Sequence, residues 1–324
     1  MKRFILAILV CVSMCIGVVG CGSEAVEETS SSERAASVSN SNLKEDSSVI
    51  AVGKTTVSYK EYKTYYFMKN QYESILGTDI WKYNKAVKDK SVGQEAIESV
   101  LRQIIQVKVI GKEAAIEKVQ LETDEKEEAD YRAKTVFDSI SAKDKQTQGI
   151  ELKVLSKIFE ENKLAQKMYN VQMGKLKIDY AANTLSAAKV ELIYQAANAK
   201  NKETVKNTMS RILSEVTSSQ NSFYTVAKNK TQADAIEYVI GNQDSRTNLA
   251  KAVVSLKKNQ TSALIEEKDG FYIAHCIQTN SAALQQQYRN QLVSEKQTES
   301  FQKTYKTWSD KFDVKVSKAL LAAN

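Results

Sequence analysis

The stretch Leu249–Ile277 constrains the fold of this chain more than any other segment. Apolar residues at helical spacing between Leu249 and Leu256 predict a short helix, and the polar run Lys258-Asn259-Gln260 predicts a turn. The β-branched and aromatic residues on either side of Gly270 predict two paired strands. The segment therefore predicts a helix, a turn and a strand pair, in that order.

This order resembles the C-terminal half of a parvulin-type peptidyl-prolyl isomerase. In that family the half-domain has Ser-Leu-Lys at the end of the helix, then a Pro-Gly-Glu turn, then Gly-Tyr-His-Ile-Ile in a strand. The corresponding residues here are Ser255-Leu256-Lys257, Lys258-Asn259-Gln260 and Gly270-Phe271-Tyr272-Ile273-Ala274. The resemblance implies the parvulin architecture, with Tyr272 in the place of a histidine.

The resemblance also implies a site in which an apolar pocket holds a proline ring beside a hydrogen-bonded pair of histidines. Alignment by pattern places the two histidines at Glu191 and Tyr272, and the ring-binding Met and Phe at Ser245 and Leu249. Glu191 and Tyr272 could hydrogen-bond to each other as a changed polar network. Alternatively the cleft is a structural or peptide-binding surface, an interpretation that the loss of every polar site residue favours.

Proline is absent from the 324 residues and only 11 are glycine, a composition that suits long helices. We therefore expect a helix-rich α+β fold. The single histidine, His275, excludes His-pair catalysis and most zinc sites. His275 and Cys276 are adjacent on a predicted strand, so their side chains should point to opposite faces. We expect no metal, no cofactor and no nucleic-acid partner.

The region after residue 48 predicts two short strands followed by helices. Val49–Val52 and Thr55–Val57 flank a glycine turn, and Ser58 with Glu61 predicts a capping box at the start of the first helix. Further helices are expected over residues 93–119, 123–141 and 150–174. The second is so densely apolar that it should be the central helix of its domain.

Tyr62 and Tyr66 lie on one face of the first helix, as either a core stripe or a surface that binds apolar peptide segments. The region from Val49 to Met173 resembles the N-terminal chaperone region of SurA-type and PrsA-type foldases. The matching pieces are Ala51-Val52-Gly53-Lys54, Leu101-Arg102-Gln103-Ile104-Ile105 and Leu164-Ala165-Gln166-Lys167-Met168-Tyr169. In those foldases a C-terminal helix returns to the N-terminal domain. The stripe Phe301, Tyr305, Trp308 and Phe312 could play that part here.

The N-terminus predicts export. Lys2 and Arg3 precede an apolar run from Phe4 to Val19, and Val18-Val19-Gly20-Cys21 resembles a bacterial lipobox. The resemblance implies cleavage before Cys21 and lipidation of its thiol, which would anchor the protein on the outer face of the cytoplasmic membrane. Residues 21–48 are polar and acidic, and we expect a disordered tether.

The predicted organisation is a signal peptide (1–20), the tether (21–48), a helical chaperone-like domain (49–178), a parvulin-like domain (186–280) and a returning C-terminal helix (281–324). The sequence indicates a membrane-anchored extracytoplasmic foldase that binds unfolded exported polypeptides. Its positive net charge, +7, could also favour an anionic cell wall. Two alternatives stay open: an active prolyl isomerase with a non-standard site, and a solute-binding lipoprotein.

Overall fold

A computed structural model describes residues 43–70, 92–181, 184–218 and 222–323. The described chain forms two compact units. The first contains the residues up to Leu176 and those from Thr298 onward, and the second is Lys177–Gln297. The predicted signal peptide, Cys21 and most of the tether lie outside the described residues. The helix-rich α+β class predicted from the sequence is confirmed.

The first unit is mainly helical, with one small sheet. Its elements are β1 (Ser48–Val52), β2 (Thr55–Ser58), α1 (Tyr59–Asn70), α2 (Val92–Ile116), α3 (Thr123–Ser139), α4 (Ala142–Gln148) and α5 (Leu152–Gly174). Gly53, with a φ of 55°, makes the turn between β1 and β2. The backbone N–H of Glu61 donates to the Ser58 hydroxyl at 3.2 Å, so the predicted cap of α1 is present.

Helix α2 is central to the first unit, as its apolar pattern predicts. Val100 and Ile104 pack in one buried cluster with α1 and β1, while Val109 and Ile110 pack in a second with Met168 of α5. Helix α4 was not predicted. It begins at the Ser141 cap and ends at Gly149, whose φ is 66°.

The second unit contains a four-stranded antiparallel sheet with helices on both faces. Its elements are β3 (Ala187–Ala196), α6 (Lys202–Ser218), α7 (Phe223–Lys230), β4 (Glu237–Gly241), α8 (Thr247–Ser255), β5 (Ile265–Glu267) and β6 (Gly270–Gln278). The strand order is β4-β3-β6-β5. Helix α8 packs on one face of the sheet, and α6 and α7 pack on the other.

Helix α9 (Ala282–Ser309) begins in the second unit, and its last turns belong to the first, where Phe301 and Trp308 are buried beside Met168. It is followed by β7 (Val314–Val316), which pairs antiparallel with β1, and by α10 (Lys318–Ala323). In the described part of the chain, every helix is too short or too polar to span a bilayer.

Candidate functional site

The two residues aligned with the family's histidines lie on opposite faces of the second unit's sheet. Tyr272 of β6 belongs to the buried cluster under α8, together with Val190 and Leu192 of β3. Because side chains alternate along a strand, Glu191 points to the face covered by α6 and α7. The alternative in which Glu191 and Tyr272 hydrogen-bond to each other is therefore excluded by the strand register.

Tyr272 is instead held by the turn between β5 and β6. Its hydroxyl donates to Asp269 Oδ2 at 2.5 Å, and its ring stacks on that of Tyr194, its cross-strand neighbour, with centroids 4.7 Å apart. The Tyr194 hydroxyl donates to the Asp269 carbonyl oxygen at 3.0 Å. Asp269 thus orients both phenols, a role that no local sequence pattern signals.

Arg246 covers the open side of this tyrosine pair. Its guanidinium lies 5.6 Å from the Tyr272 ring centroid. It also donates twice to Asp244, from Nε at 2.9 Å and from a terminal nitrogen at 2.7 Å. These hydrogen bonds raise the pKa of Arg246, which stays charged. The sequence analysis missed both residues of this bidentate pair.

The electrostatics keep Tyr272 protonated. Burial raises the pKa of its phenol, and the hydrogen bond to Asp269 raises it further. Burial also raises the pKa of Tyr194. Neither phenol can therefore act as a base near neutral pH, and each serves as a hydrogen-bond donor.

Helix α8 is fixed beside this cluster by Glu267 of β5. One carboxylate oxygen, Oε1, accepts from the backbone N–H groups of Asn248 and Leu249, at 2.7 and 2.9 Å. A carboxylate at a helix N-terminus is favourable because it satisfies otherwise unpaired donors and complements the helix dipole. Leu249 is fully buried in the core, whereas Ser245 just before the helix is exposed.

A polar cavity of about 450 Å³ opens at the N-terminal ends of α6 and α8. An ion pair between Lys202 and Glu266, with a nitrogen–oxygen distance of 2.7 Å, lies in its wall, and the buried ring of Phe271 forms part of its lining. The lining residues are Ala197, Asn198, Ala199, Lys202, Thr247, Asn248, Glu266, Glu267, Lys268 and Phe271. Hydrogen-bond donors and acceptors therefore line the same cavity.

The face under α6 and α7 holds His275 and Glu191. His275 stacks on Phe223 with centroids 5.3 Å apart, and its Nδ1 lies 2.9 Å from the Thr261 hydroxyl. Glu191 is its cross-strand partner. Burial lowers the pKa of His275, and burial with the charge of Glu237 raises that of Glu191. Cys276 is buried under α8, so the predicted opposite orientation of His275 and Cys276 is confirmed.

The tyrosine stripe of the first unit lies mainly in its core. Tyr62 is only 1% exposed and Tyr66 is half-buried, and their rings stack with centroids 6.1 Å apart. Among the described residues, no group of three His, Cys, Asp or Glu side chains could hold a metal ion.

A protein-family model matches the second unit. Residues 185–278 match the rotamase family model described as the PPIC-type PPIase domain. No curated protein matches the chain.

Solved structures similar to this chain include two PrsA proteins and one isomerase domain. The foldase protein PrsA from Lactococcus lactis is 13% identical, with a TM-score of 0.34 over 86% of this chain and 97% of that chain. PrsA from Bacillus anthracis is 15% identical, with a TM-score of 0.38 over 65% and 96%. A PpiC-type isomerase domain is 20% identical, with a TM-score of 0.27 over 31% and 98%.

Proposed function

From the parvulin-type peptidyl-prolyl isomerase domain that residues 185–278 form, we propose that the chain is an extracytoplasmic foldase that binds unfolded polypeptides. The second unit is the binding module, and its polar cavity is the place where an extended segment is held. Prolyl isomerisation is not its main activity.

The observation against isomerisation as the main activity is that Tyr272 stands where the family has a histidine and is fixed in place. Its hydroxyl is committed to Asp269 and its ring to Tyr194. Leu249, aligned with a ring-binding residue, is fully buried in the core and offers no surface to a proline ring. Lowering the barrier of ~18–20 kcal/mol to amide rotation needs groups that bind the twisted amide more strongly than the planar one.

The cavity suits a polypeptide main chain. Its wall contains the Asn198 and Asn248 amides, the Thr247 hydroxyl and the Lys202–Glu266 ion pair. An extended segment has alternating N–H and C=O groups, which such a mixed lining can pair without selecting one side chain. This supports broad specificity for unfolded chains.

We propose further that Cys21 is lipidated and holds the protein on the outer face of the membrane. The motif Val18-Val19-Gly20-Cys21 after an apolar run supports this placement. Cells fed a labelled fatty acid should incorporate the label into the wild-type protein and not into the Cys21→Ala variant. Equal labelling of the two proteins would show that the lipid is not on Cys21.

The binding function is tested by suppression of aggregation. We expect equimolar protein to slow light scattering from a chemically denatured client diluted into buffer. Thr247→Trp, which fills the cavity, should remove most of the effect. Ser210→Trp is the matched control, because Ser210 is exposed on α6 outside the cavity lining. Equal protection by wild type and Thr247→Trp would contradict the assignment of the cavity.

A second function, prolyl isomerisation at a non-standard site, is favoured by one observation. The protonated Tyr272 phenol lies beside the Arg246 guanidinium, so a prolyl amide that displaced Asp269 from the phenol would meet two hydrogen-bond donors near the family's histidine position. Such donors could stabilise the carbonyl oxygen of a twisted prolyl amide. Proline-limited refolding with catalytic amounts of the protein separates the two functions.

A further inference from the structure

The C-terminal segment Asp310–Leu321, which we call the strap, completes the sheet of the first unit. Within it, β7 pairs with β1 through only three residue pairs: Ile50 with Val316, Ala51 with Lys315 and Val52 with Val314. Strand β1 would otherwise be an edge, because the sheet order is β2-β1-β7. An edge strand presents unpaired N–H and C=O groups that another extended chain can pair.

Backbone contacts fix the register of the strap at both ends of β7. The N–H of Gly53 donates to the carbonyl of Asp313 at 2.8 Å, and the N–H of Ser317 donates to the carbonyl of Val49 at 2.8 Å. Beyond β7, Leu320 is fully buried in the cluster that contains Ile50. The strap thus occupies both a strand position and an apolar recess.

Little side-chain burial holds β7 itself. Val314 is 38% exposed and Lys315 is exposed, so the apolar contacts of the strap come from Phe312, Val316 and Leu320. The strap is held by these side chains, by the Lys311–Glu113 ion pair at 2.9 Å and by the backbone pairing of β7 with β1. Segments with few buried contacts are among the first parts of a protein to open.

We propose that the edge of β1 and the recess under Leu320 form a second binding site for an extended polypeptide segment, which the strap fills when no client is bound. The recognised segment alternates apolar and polar residues and ends in a large aliphatic residue, as Val314-Lys315-Val316 followed by Leu320 does. Main-chain pairing supplies affinity, and the recess selects the aliphatic side chain. This inference rests on the proposed function, because its ligand is an unfolded client.

A disulfide that locks the strap tests the proposal on the full chain. Ala51 and Lys315 are cross-strand partners on the solvent side, and opposed residues in an antiparallel pair have the Cα separation that a disulfide needs. The double variant Ala51→Cys/Lys315→Cys is compared oxidised and reduced, with each single variant as a control for mispairing. Cys276 is buried and does not compete, and Cys11, Cys15 and Cys21 are replaced by serine in every variant of this set.

The probe is a fluorescent synthetic peptide with the sequence of residues 313–321, followed by anisotropy. Apparent affinity scales with the fraction of protein whose site is open, so oxidation should weaken peptide binding by at least about tenfold, and reduction should restore it. The single variants should bind like wild type under both conditions. Leu320→Ser in the chain, which loosens the strap, should strengthen binding of the peptide.

Three outcomes would overturn the proposal. If the oxidised double variant binds the peptide as tightly as the reduced form, the strap does not fill a binding site. If the reduced protein binds only a second copy of itself, seen as a dimer by light scattering, the site is an interface between copies of the chain and does not bind clients. If the peptide never binds while aggregation of a denatured client is still suppressed, this inference fails and the proposed function stands.

Discussion

Lys108 of α2 has a buried ammonium group between two carboxylates. Its Nζ lies 2.6 Å from Glu61 Oε1 and 2.6 Å from Glu161 Oε2, and Lys157 contributes a further contact to Glu61 at 2.8 Å. The Lys108 and Glu61 side chains are 3% and 4% exposed. Burial raises the pKa of Glu161. Replacing Lys108 by methionine keeps most of the volume and removes the charge that compensates these carboxylates.

Breaking a buried ion pair by removing one partner costs about 3–5 kcal/mol. The lower end, about 3 kcal/mol, is expected here, because Lys157 still neutralises part of the Glu61 charge and the 26% exposed Glu161 reaches water. With a urea dependence of about 2–3 kcal/mol/M, the unfolding midpoint should fall by about 1–1.5 M. Trp308, buried in the same unit, reports the transition by fluorescence in a Trp81→Phe background.

Two matched variants make the test specific. Lys157→Met removes the same charge from a side chain that is 50% exposed, and should cost less than about 1 kcal/mol. Adding Glu61→Gln to Lys108→Met should recover a large part of the loss, because the most buried carboxylate is then neutral. Equal unfolding midpoints for Lys108→Met and Lys157→Met would show that burial of the Lys108 ammonium does not make its loss more costly.

Two further substitutions probe the second unit. Gly270→Ala should destabilise it by at least about 3 kcal/mol, because φ at this position is 153° and a Cβ would collide with the Gln195 carbonyl oxygen. Thermal melts measure this loss. Gly174→Ala is the control, because nothing lies within 4 Å of the added carbon, and its melting temperature should equal that of wild type. Glu267→Ala should cost about 1–2 kcal/mol, since two N–H groups at the start of α8 lose their acceptor. Urea unfolding of Glu267→Ala, followed by circular dichroism, measures this cost. An unchanged unfolding midpoint would show that Glu267 does not stabilise the start of α8.

The sequence predicted the helices that are determined by residues close together in the chain. Ser58 and Glu61 predicted the start of α1, because the capping bond joins residues three apart. The dense apolar run of α2 predicted its central position. Helix α4 was missed because its seven residues include no buried side chain, and only the caps at Ser141 and Gly149 define it.

Features that depend on the pairing of distant strands could not be read from the sequence. The family alignment left open a hydrogen bond between Glu191 and Tyr272, but the strand register, with Glu191 opposite His275, puts them on opposite faces. The hydrogen bond from Tyr272 to Asp269 and the pairing of β7 with β1 also require the folded structure to be known. Such contacts depend on tertiary structure and leave no periodic signal.

Proline-limited refolding of a client, measured with catalytic amounts of the protein, distinguishes a foldase that only binds unfolded chains from an isomerase. We expect no acceleration of the slow phase by wild type, although stoichiometric protein suppresses aggregation. Tyr272→Phe removes the hydroxyl that donates to Asp269 and should leave the refolding rate unchanged. Acceleration by wild type would show that the protein is an isomerase, and loss of that acceleration in Tyr272→Phe would establish that the active site is built on this tyrosine.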